Sequence, residues 1–456
     1  MSESIAQYYR CPDQWLRFAA EGDLSSEKKG YFRFGGSVCY GQTSSGPSCG
    51  SPASHLVDVL PKSVTRDGTV HLPFAIDQVI EALRCESYAS EKVADGLSAD
   101  SIITNLYYLV RPFMSVAVRK HLQRIRLNGW QKIAFPSWPV DFSVDNLAQQ
   151  SLLLALRASG RQQMPFIWFW PDGAPGCAIM THDVETAEGR DFCSTLMDIN
   201  DSFGVRASFQ VVPEVRYEVT PEYLTSIRAR GSEVNVQDLN HDGRLYKTQR
   251  QFTRRVEKIN SYGAAWGALG FRAAVLYRNE RWFNKLKFEY DMSVPNVAHL
   301  DPQRGGCCTV MPYFVGDILE LPVTTTQDYS LFHILKDNSL DLWKQQTEMI
   351  MERHGMMNFI VHPDYIISPR ERKLYEDLLA YLSGLRDRKG LWLPTPGEVN
   401  QWWRKRAKMR LVEEDGEWRI KGEGHERARV GYASEHNGDL EINVESAPSA
   451  ATHQTR

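Results

Sequence analysis

The sequence predicts an α/β protein whose central part is a distorted parallel (β/α) barrel of seven or eight units. Between residues 173 and 406, short apolar runs rich in Val, Ile and aromatic residues alternate with helical patterns. No glycine-rich dinucleotide turn follows any of these runs, which favours a barrel over an open nucleotide-binding sheet. Helix boundaries are marked by Thr220-Pro221 and by the capping box that begins at Thr395.

Eight short apolar runs are the predicted strands of this barrel. Each has the length and the β-branched or aromatic composition of a buried parallel strand. They cover residues 177–181, 207–212, 233–236, 270–274, 290–294, 318–323, 358–361 and 391–394.

The two flanking regions have other patterns. Residues 1–172 predict a mostly helical N-terminal accessory region of unknown function, with helices over 75–88, 101–125 and 146–158 and a Gly/Ser-rich loop over 41–54. Residues 407–456 alternate apolar and polar side chains, which predicts a small β extension of one or two hairpins, followed by a disordered tail.

Composition and charge exclude several classes of function. The chain has 456 residues, with 53 Lys and Arg against 56 Asp and Glu, so a basic surface for nucleic acid is not expected. The eight cysteines show neither disulfide density nor the paired spacing of a zinc site. No signal peptide or transmembrane segment is recognisable, so we expect a cytoplasmic protein, and the sequence gives no indication of oligomeric state.

Polar residues follow several of the predicted strands. Asp183 and Glu185 end the first, His241 follows the third, Arg272 ends the fourth and His362 ends the seventh. Any one of them alone is typical of a cap or turn. Because the carboxyl ends of the strands meet at the active-site face of a parallel barrel, the set together predicts one site there.

The order of these motifs resembles the polysaccharide deacetylase family, the NodB-homology domain of carbohydrate esterase family 4. The resemblance extends over about residues 175–400 and covers neither flanking region. It implies a distorted (β/α) barrel and a metal-dependent hydrolase that removes N-acetyl groups from an amino-sugar polymer or oligosaccharide. The motifs are Thr181-His182-Asp183-Val184-Glu185, Glu233 to Asp242, Gly270-Phe271-Arg272, Tyr290-Asp291-Met292-Ser293, Glu320-Leu321-Pro322-Val323 and Val361-His362-Pro363.

The resemblance also implies catalytic roles. Asp183 corresponds to the general base, Arg272 to the arginine that orients that base, and His362 to the acid that protonates the leaving amine. Asp291 begins the fourth motif, and no role is assigned to it.

The implied metal ligands depart from the family pattern. Glu185 stands where a metal-binding Asp is expected, and His241 corresponds to the second of two histidines. Gln237 occupies the place of the first. An amide oxygen is a weaker ligand than imidazole for Zn, Co or Ni, so we expect weaker binding of the divalent cation, or a harder ion such as Mn. Further candidates to complete the site are His182, Asp238 and Asp242.

Two other functions remain open. A catalytically silent carbohydrate-binding protein would use the same cleft, lined by aromatic residues that are equally typical of a core. A metal-free hydrolase would use Asp183 and Glu185 as an acid/base pair, which we disfavour on the expectation that the two side chains point to opposite faces. The aromatic candidates are Trp266, Tyr277, Trp282 and Tyr313.

Overall fold

The computed structural model describes residues 2–24, 27–46, 48–90, 127 and 129–445. The predicted helix over 101–125 and the predicted disordered tail lie outside these ranges. Among the described residues, no helix combines the length and the apolar character that crossing a bilayer requires.

The N-terminal region contains strands as well as helices. The helices predicted over 75–88 and 146–158 are confirmed, whereas the strands were not foreseen in a region predicted to be mostly helical. The helices are α1 (Glu3–Tyr9), α2 (Ile76–Arg84), α3 (Ser87–Ser90) and α4 (Ser143–Ser159). The strands are β1 (Phe18–Ala20), β2 (Gly30–Phe34), β3 (Ser37–Gly41), β4 (Val64–Arg66), β5 (Thr69–Leu72) and β6 (Gln163–Ile167).

An eight-stranded curled sheet forms the centre of the protein. Its order is β12-β13-β11-β10-β9-β8-β7-β14, and all neighbours are parallel except β12 and β13. The strands are β7 (Cys177–Val184), β8 (Ala207–Val211), β9 (Glu233–Gln237), β10 (Gly270–Arg272), β11 (Tyr290–Asp291), β12 (Tyr313–Val315), β13 (Ile318–Glu320) and β14 (Met356–Ile360). The first seven predicted strands therefore exist, some of them shorter than expected.

Helices connect these strands, and two of them begin where the sequence predicted. The Thr220 side chain accepts a hydrogen bond from the Tyr223 amide, and the Thr395–Glu398 capping box is present. The helices are α5 (Ala187–Ser202), α6 (Pro221–Ala229), α7 (Gln249–Trp266), α8 (Asp341–Glu352), α9 (Pro369–Lys389) and α10 (Pro396–Lys408).

The segment that follows β13 lies beside β14, and side-chain hydrogen bonds join the two. Thr324 Oγ1 donates to the Met356 carbonyl at 2.7 Å, and Thr325 Oγ1 donates to the Asn358 carbonyl at 2.8 Å. Asn358 Nδ2 donates to the Leu321 carbonyl at 3.0 Å. The predicted eighth strand, 391–394, contributes only an isolated bridge from Trp392 to Cys177. The result is a distorted barrel, in which side-chain bonds replace part of the strand pairing.

The C-terminal extension forms the predicted hairpins and joins the N-terminal region. The strands β15 (Arg410–Glu414) and β16 (Glu417–Lys421) pair with each other, as do β17 (Val430–His436) and β18 (Asp439–Val444). Strand β17 also pairs with β6, so the C-terminal extension and the N-terminal region share one sheet. The division at 172 and 406 stays a prediction.

A buried arginine ties the barrel to the N-terminal region. Arg406 of α10 is 1% exposed, and its guanidinium donates to the carbonyl oxygens of Tyr8 at 2.9 Å and Ile167 at 2.7 Å. Carbonyl acceptors satisfy the donors of this cation, although burial lowers the pKa of Arg406 to about 9. The N-terminal region is thus fixed against the barrel that carries the candidate site.

Candidate active site

Two carboxylates at the end of β7 face one centre. Every residue of β7 is buried. Asp183 lies near the end of this strand, and Glu185 is the first residue after the strand. Gln237 Nε2, at the end of β9, donates to Asp183 Oδ2 at 3.0 Å and to Glu185 Oε1 at 3.2 Å. The expectation that the two carboxylates point to opposite faces is therefore wrong, because residues two apart along a strand share a face.

Arg272 holds the carboxylate of Asp183. Its Nη1 donates to Asp183 Oδ1 at 2.6 Å and to Thr181 Oγ1 at 2.8 Å, and its Nε donates to the Met292 carbonyl at 3.0 Å. The Arg272 side chain is 0% exposed and that of Asp183 is 5% exposed. A buried charge pair with such additional bonds has a fixed geometry, so Asp183 presents its carboxylate in one orientation.

Glu185 lies between two imidazoles. Its Oε1 is 2.7 Å from His241 Nε2 and 3.4 Å from His362 Nε2. Burial would raise the pKa of Glu185, but the neighbouring charges of His241 and His362 outweigh it and hold this pKa well below its usual value. Ligand atoms of Asp183, Glu185 and His362 all lie within 4.8 Å of one another, so these three form a possible metal site.

His362 is oriented by Asp328, a residue that the sequence did not single out. His362 Nδ1 lies 2.7 Å from Asp328 Oδ1, and the His362 backbone amide donates to Asp328 Oδ2 at 2.6 Å. Burial would lower the pKa of His362, but Asp328 and Glu185 raise it well above its usual value. With Nδ1 engaged by Asp328, the other ring nitrogen, Nε2, faces Glu185 and the centre of the site.

His241 is positioned by a second residue that the sequence did not reveal. Arg216 Nη2 donates to the His241 carbonyl at 2.6 Å, and Arg216 Nε donates to the Asn240 carbonyl at 3.3 Å. His241 itself has a φ of 54°, a left-handed conformation that these contacts help to stabilise. Arg216 lies in the loop after β8, where no pattern in the sequence indicated a contact with His241.

Gln237 reaches the centre, as predicted for a ligand position, but it presents its nitrogen to the two carboxylates. Its Oε1 atom is buried and has no hydrogen-bond partner among the described residues. A buried acceptor without a partner is costly, and rotation of the amide would turn this oxygen toward the centre. The side chain can therefore act as a donor to the carboxylates or as an oxygen ligand, one at a time.

Three other candidates are held in other contacts. His182 Nδ1 lies 3.1 Å from the Val361 carbonyl and its Nε2 lies 3.1 Å from Asn200 Nδ2. Burial lowers the pKa of His182 to about 3, so this ring is a neutral part of the core. Asp242 accepts two bonds of 2.6 Å from Arg255, and Asp238 accepts from the Leu239 amide.

The aromatic residues suggested for the cleft pack largely elsewhere. Tyr313 is buried in a hydrophobic cluster of the barrel, and Trp282 and Trp266 pack against that cluster. Trp282 stacks on Tyr246 with ring centroids 6.0 Å apart. These contacts agree with the core interpretation of the aromatic residues.

Comparison with known proteins gives matches among solved structures alone. No protein-family model matches the chain, and no curated protein matches it. A probable polysaccharide deacetylase from Pseudomonas aeruginosa PAO1 is 13% identical with a TM-score of 0.41, and the match covers 52% of this chain and 93% of that one. The peptidoglycan deacetylase of Bacillus subtilis is 13% identical with a TM-score of 0.33, covering 51% and 93%. An allantoinase is 12% identical with a TM-score of 0.43, covering 52% and 92%.

The matches include the kind of protein that the sequence motifs resemble. Each of the three covers about half of this chain. At these identities and TM-scores, the case for a function rests on the side chains of the site.

Proposed function

We propose that the protein is a metal-dependent hydrolase that removes N-acetyl groups from an amino-sugar polymer or oligosaccharide. The observation that carries this proposal is the convergence of Asp183, fixed by buried Arg272, with Glu185 and His362 at the carboxyl end of the barrel. A fixed carboxylate beside an oriented imidazole provides a base and an acid for cleavage of an amide.

The donor set fits a divalent cation. Of the possible metal site, Asp183 and His362 are reserved for proton transfer. We therefore assign Glu185, the neighbouring His241 and Gln237 as ligands, because carboxylate and imidazole are usual ligands of Zn, Co and Ni. The partnerless Gln237 Oε1 supports the third position, since an amide turned toward the cation would satisfy it. Mn is a further candidate, because oxygen ligands suit it. When bound, the cation supplies Lewis acidity toward the acetyl carbonyl and its tetrahedral oxyanion.

The side chains of the site would divide the proton transfers between them. Asp183 would accept the proton of the attacking water, because its bond to Arg272 holds the carboxylate in one orientation at the centre. His362 would donate from Nε2 to the nitrogen of the departing amine, while Asp328 holds Nδ1. An amine leaves poorly until it is protonated, so both transfers are required.

One alternative gains support and the other does not. Asp183 and Glu185 face the same centre, and the neutral amide of Gln237 donates to both carboxylates. A metal-free hydrolase that uses these two residues as an acid/base pair is therefore a second candidate. The catalytically silent binding protein has no such support, since base, acid and their positioning partners are all present.

The proposed activity is tested by assaying acetate and free amine released from N-acetylated oligosaccharides and polymers. The protein is treated with chelator, and Zn, Co, Ni or Mn is then added back. We expect equal amounts of acetate and amine, and an activity that returns with a cation. Activity that survives complete removal of metal would favour the acid/base pair. Binding of an oligosaccharide with no acetate under any condition would contradict both hydrolytic proposals.

Metal content tests the ligand assignment separately. We expect one divalent cation per chain after dialysis, and a clear loss of it in His241→Ala, because this variant lacks an imidazole ligand. Asp242→Asn is a matched control, since Asp242 is occupied by Arg255. Equal metal content in the wild type and His241→Ala would contradict the assignment.

A further inference from the structure

The loop between β8 and α6 contacts both segments that carry the proposed carboxylate and imidazole ligands. Tyr217 Oη donates to the carbonyl of Val184, the residue directly before Glu185, at 2.6 Å. Arg216 Nη2 donates to the His241 carbonyl at 2.6 Å. Neighbouring residues of one loop therefore fix the backbone at both of these ligands.

A tight turn brings Arg216 back toward His241. The Arg216 amide donates to the Glu214 carbonyl at 2.9 Å, which closes a three-residue turn around Val215. Val215 has a φ of 76°, a strained value for a β-branched residue, and its side chain is 85% exposed. An exposed side chain gains no packing from this turn, so bonds from neighbouring residues, those of Arg216 among them, hold it in place.

Arg216 also contacts the ring of His241, at the nitrogen that faces away from the proposed cation. Arg216 Nη2 lies 3.4 Å from His241 Nδ1, whereas His241 Nε2 lies 2.7 Å from Glu185 Oε1. A guanidinium group can only donate hydrogen bonds, so Nδ1 can only accept in this contact. In the neutral ring the proton then belongs on Nε2, the atom that would have to bind the cation.

The usual surroundings of a metal-binding histidine are different. A ring that binds metal through Nε2 donates its Nδ1 proton to a carboxylate, a carbonyl or a water, and loss of such a partner weakens metal binding about 10- to 100-fold. His362 has a partner of this kind, since its Nδ1 lies 2.7 Å from Asp328 Oδ1. His241 has a donor at the place where an acceptor is expected. Arg216 therefore opposes the form of the ring that binds a cation.

The charge of Arg216 acts in the same direction. Within the described ranges no carboxylate pairs with Arg216, and the nearby Glu214 pairs instead with Lys258 at 3.2 Å. A cation bound by His241 would meet this second positive charge. Because Arg216 is exposed, solvent screens its charge, so we expect the direction of the hydrogen bond to contribute more than the charge.

We propose that Arg216 lowers the affinity of the site for its divalent cation, because it donates to the nitrogen of His241 from which a metal-bound ring would itself donate. Arg216 is a positioning residue in this role, since it acts through His241. Together with Gln237, it makes two features of the chain that weaken the hold on the cation. The inference rests on the proposed assignment of His241 as a ligand.

The test is calorimetric titration of chelator-treated protein with Zn or Co. Arg216→Gln should raise the affinity on the order of tenfold, because an amide oxygen can accept the Nδ1 proton. Arg216→Met, which removes the donor without supplying an acceptor, should give a smaller rise, and Arg216→Lys, which keeps a donor with a positive charge, should stay near the wild type. Arg250→Gln makes the same change of charge at an exposed position of α7 and should leave the affinity unchanged.

Nitrogen NMR of histidine-labelled protein without metal reports the ring directly, and His241→Ala identifies the signals. We expect the ring proton of His241 on Nε2 in the wild type and a shift of its population toward Nδ1 in Arg216→Gln. A role of Arg216 in holding the backbone alone would lower the metal affinity in all three Arg216 variants and would leave the ring proton where it is.

The outcomes separate this inference from the proposed function. Tighter binding in Arg216→Gln but not in Arg216→Lys, with a displaced ring proton, supports the role of Arg216. A wild type that binds one cation, with equal or weaker binding in Arg216→Gln and Arg216→Met, would overturn the inference while the proposed hydrolase stands. If neither the wild type nor any Arg216 variant binds a cation, the ligand assignment is contradicted and the inference with it.

Discussion

Asp183→Asn separates the chemical role of this carboxylate from its structural one. Asp183 accepts from Arg272 through Oδ1 and from Gln237 through Oδ2. In the variant, the amide oxygen can keep the bond to Arg272, and the new nitrogen then faces Gln237 Nε2. Because Gln237 Oε1 has no partner, rotation of its amide would turn an acceptor toward that nitrogen. The packing is therefore kept.

The magnitudes follow from these contacts. Exchanging a charge-assisted bond for a neutral one costs about 1–2 kcal/mol, and breaking a buried ion pair by removing one partner costs about 3–5 kcal/mol. Arg272 keeps its bonds to Thr181 and Met292, so we expect the free energy of unfolding to fall by about 3 kcal/mol. Without a base, acetate release should fall by at least about 100-fold.

Urea unfolding followed by tryptophan fluorescence measures the first effect, and acetate release under conditions where the variant is folded measures the second. Asp145→Asn is the control. Its buried carboxylate accepts from the Tyr8 and Thr309 hydroxyls, which can turn to accept from an amide, so we expect unchanged acetate release. A folded Asp183→Asn protein that keeps wild-type acetate release would refute the role of Asp183 as base.

Three more predictions follow from other contacts of the site. His362→Ala should lower acetate release by at least about 100-fold with little change in oligosaccharide affinity, because protonation of the leaving amine is lost; a coupled enzymatic assay for acetate measures this. Gln237→His should tighten binding of Zn or Co in calorimetric titration, and a folded variant that binds no tighter would show that this position is not a ligand. His182→Ala should lower the free energy of unfolding by about 3 kcal/mol and leave the metal content unchanged, since this ring bonds only within the core.

The sequence was sufficient to predict those parts of the barrel where local pattern and fold agree. Strands such as β7 and β14 contain short apolar runs and are buried at every residue, and Thr395 begins a helix with a complete capping box. The hairpin of β2 and β3 was missed, although Gly35 and Gly36 between alternating residues are a usual signal for a tight turn. The longer apolar patterns of the N-terminal helices led instead to the prediction of a mostly helical region.

The sequence named candidate residues of the site, but it did not predict the contacts that hold them. Asp183 and Arg272 lie at the ends of β7 and β10, and His362 lies two residues after β14. The structure places Asp183 against Arg272 and close to His362. Arg216 lies in an irregular loop and Asp328 lies at the start of a short helical segment. The position of both depends on tertiary packing, so no periodic pattern could place them. Gln237 was identified as the unusual residue, yet the direction of its amide depends on the two carboxylates around it.

The central claim is that this site hydrolyses an acetamide by means of Asp183 and a cation. The most direct measurement is mass spectrometry of the acetate formed from N-acetylated oligosaccharides in water labelled with heavy oxygen, with Zn, Co, Ni or Mn added to chelator-treated protein. We predict one labelled oxygen in each acetate from the wild type and none above the uncatalysed background from Asp183→Asn. Absence of labelled acetate from the wild type with every cation would contradict the account.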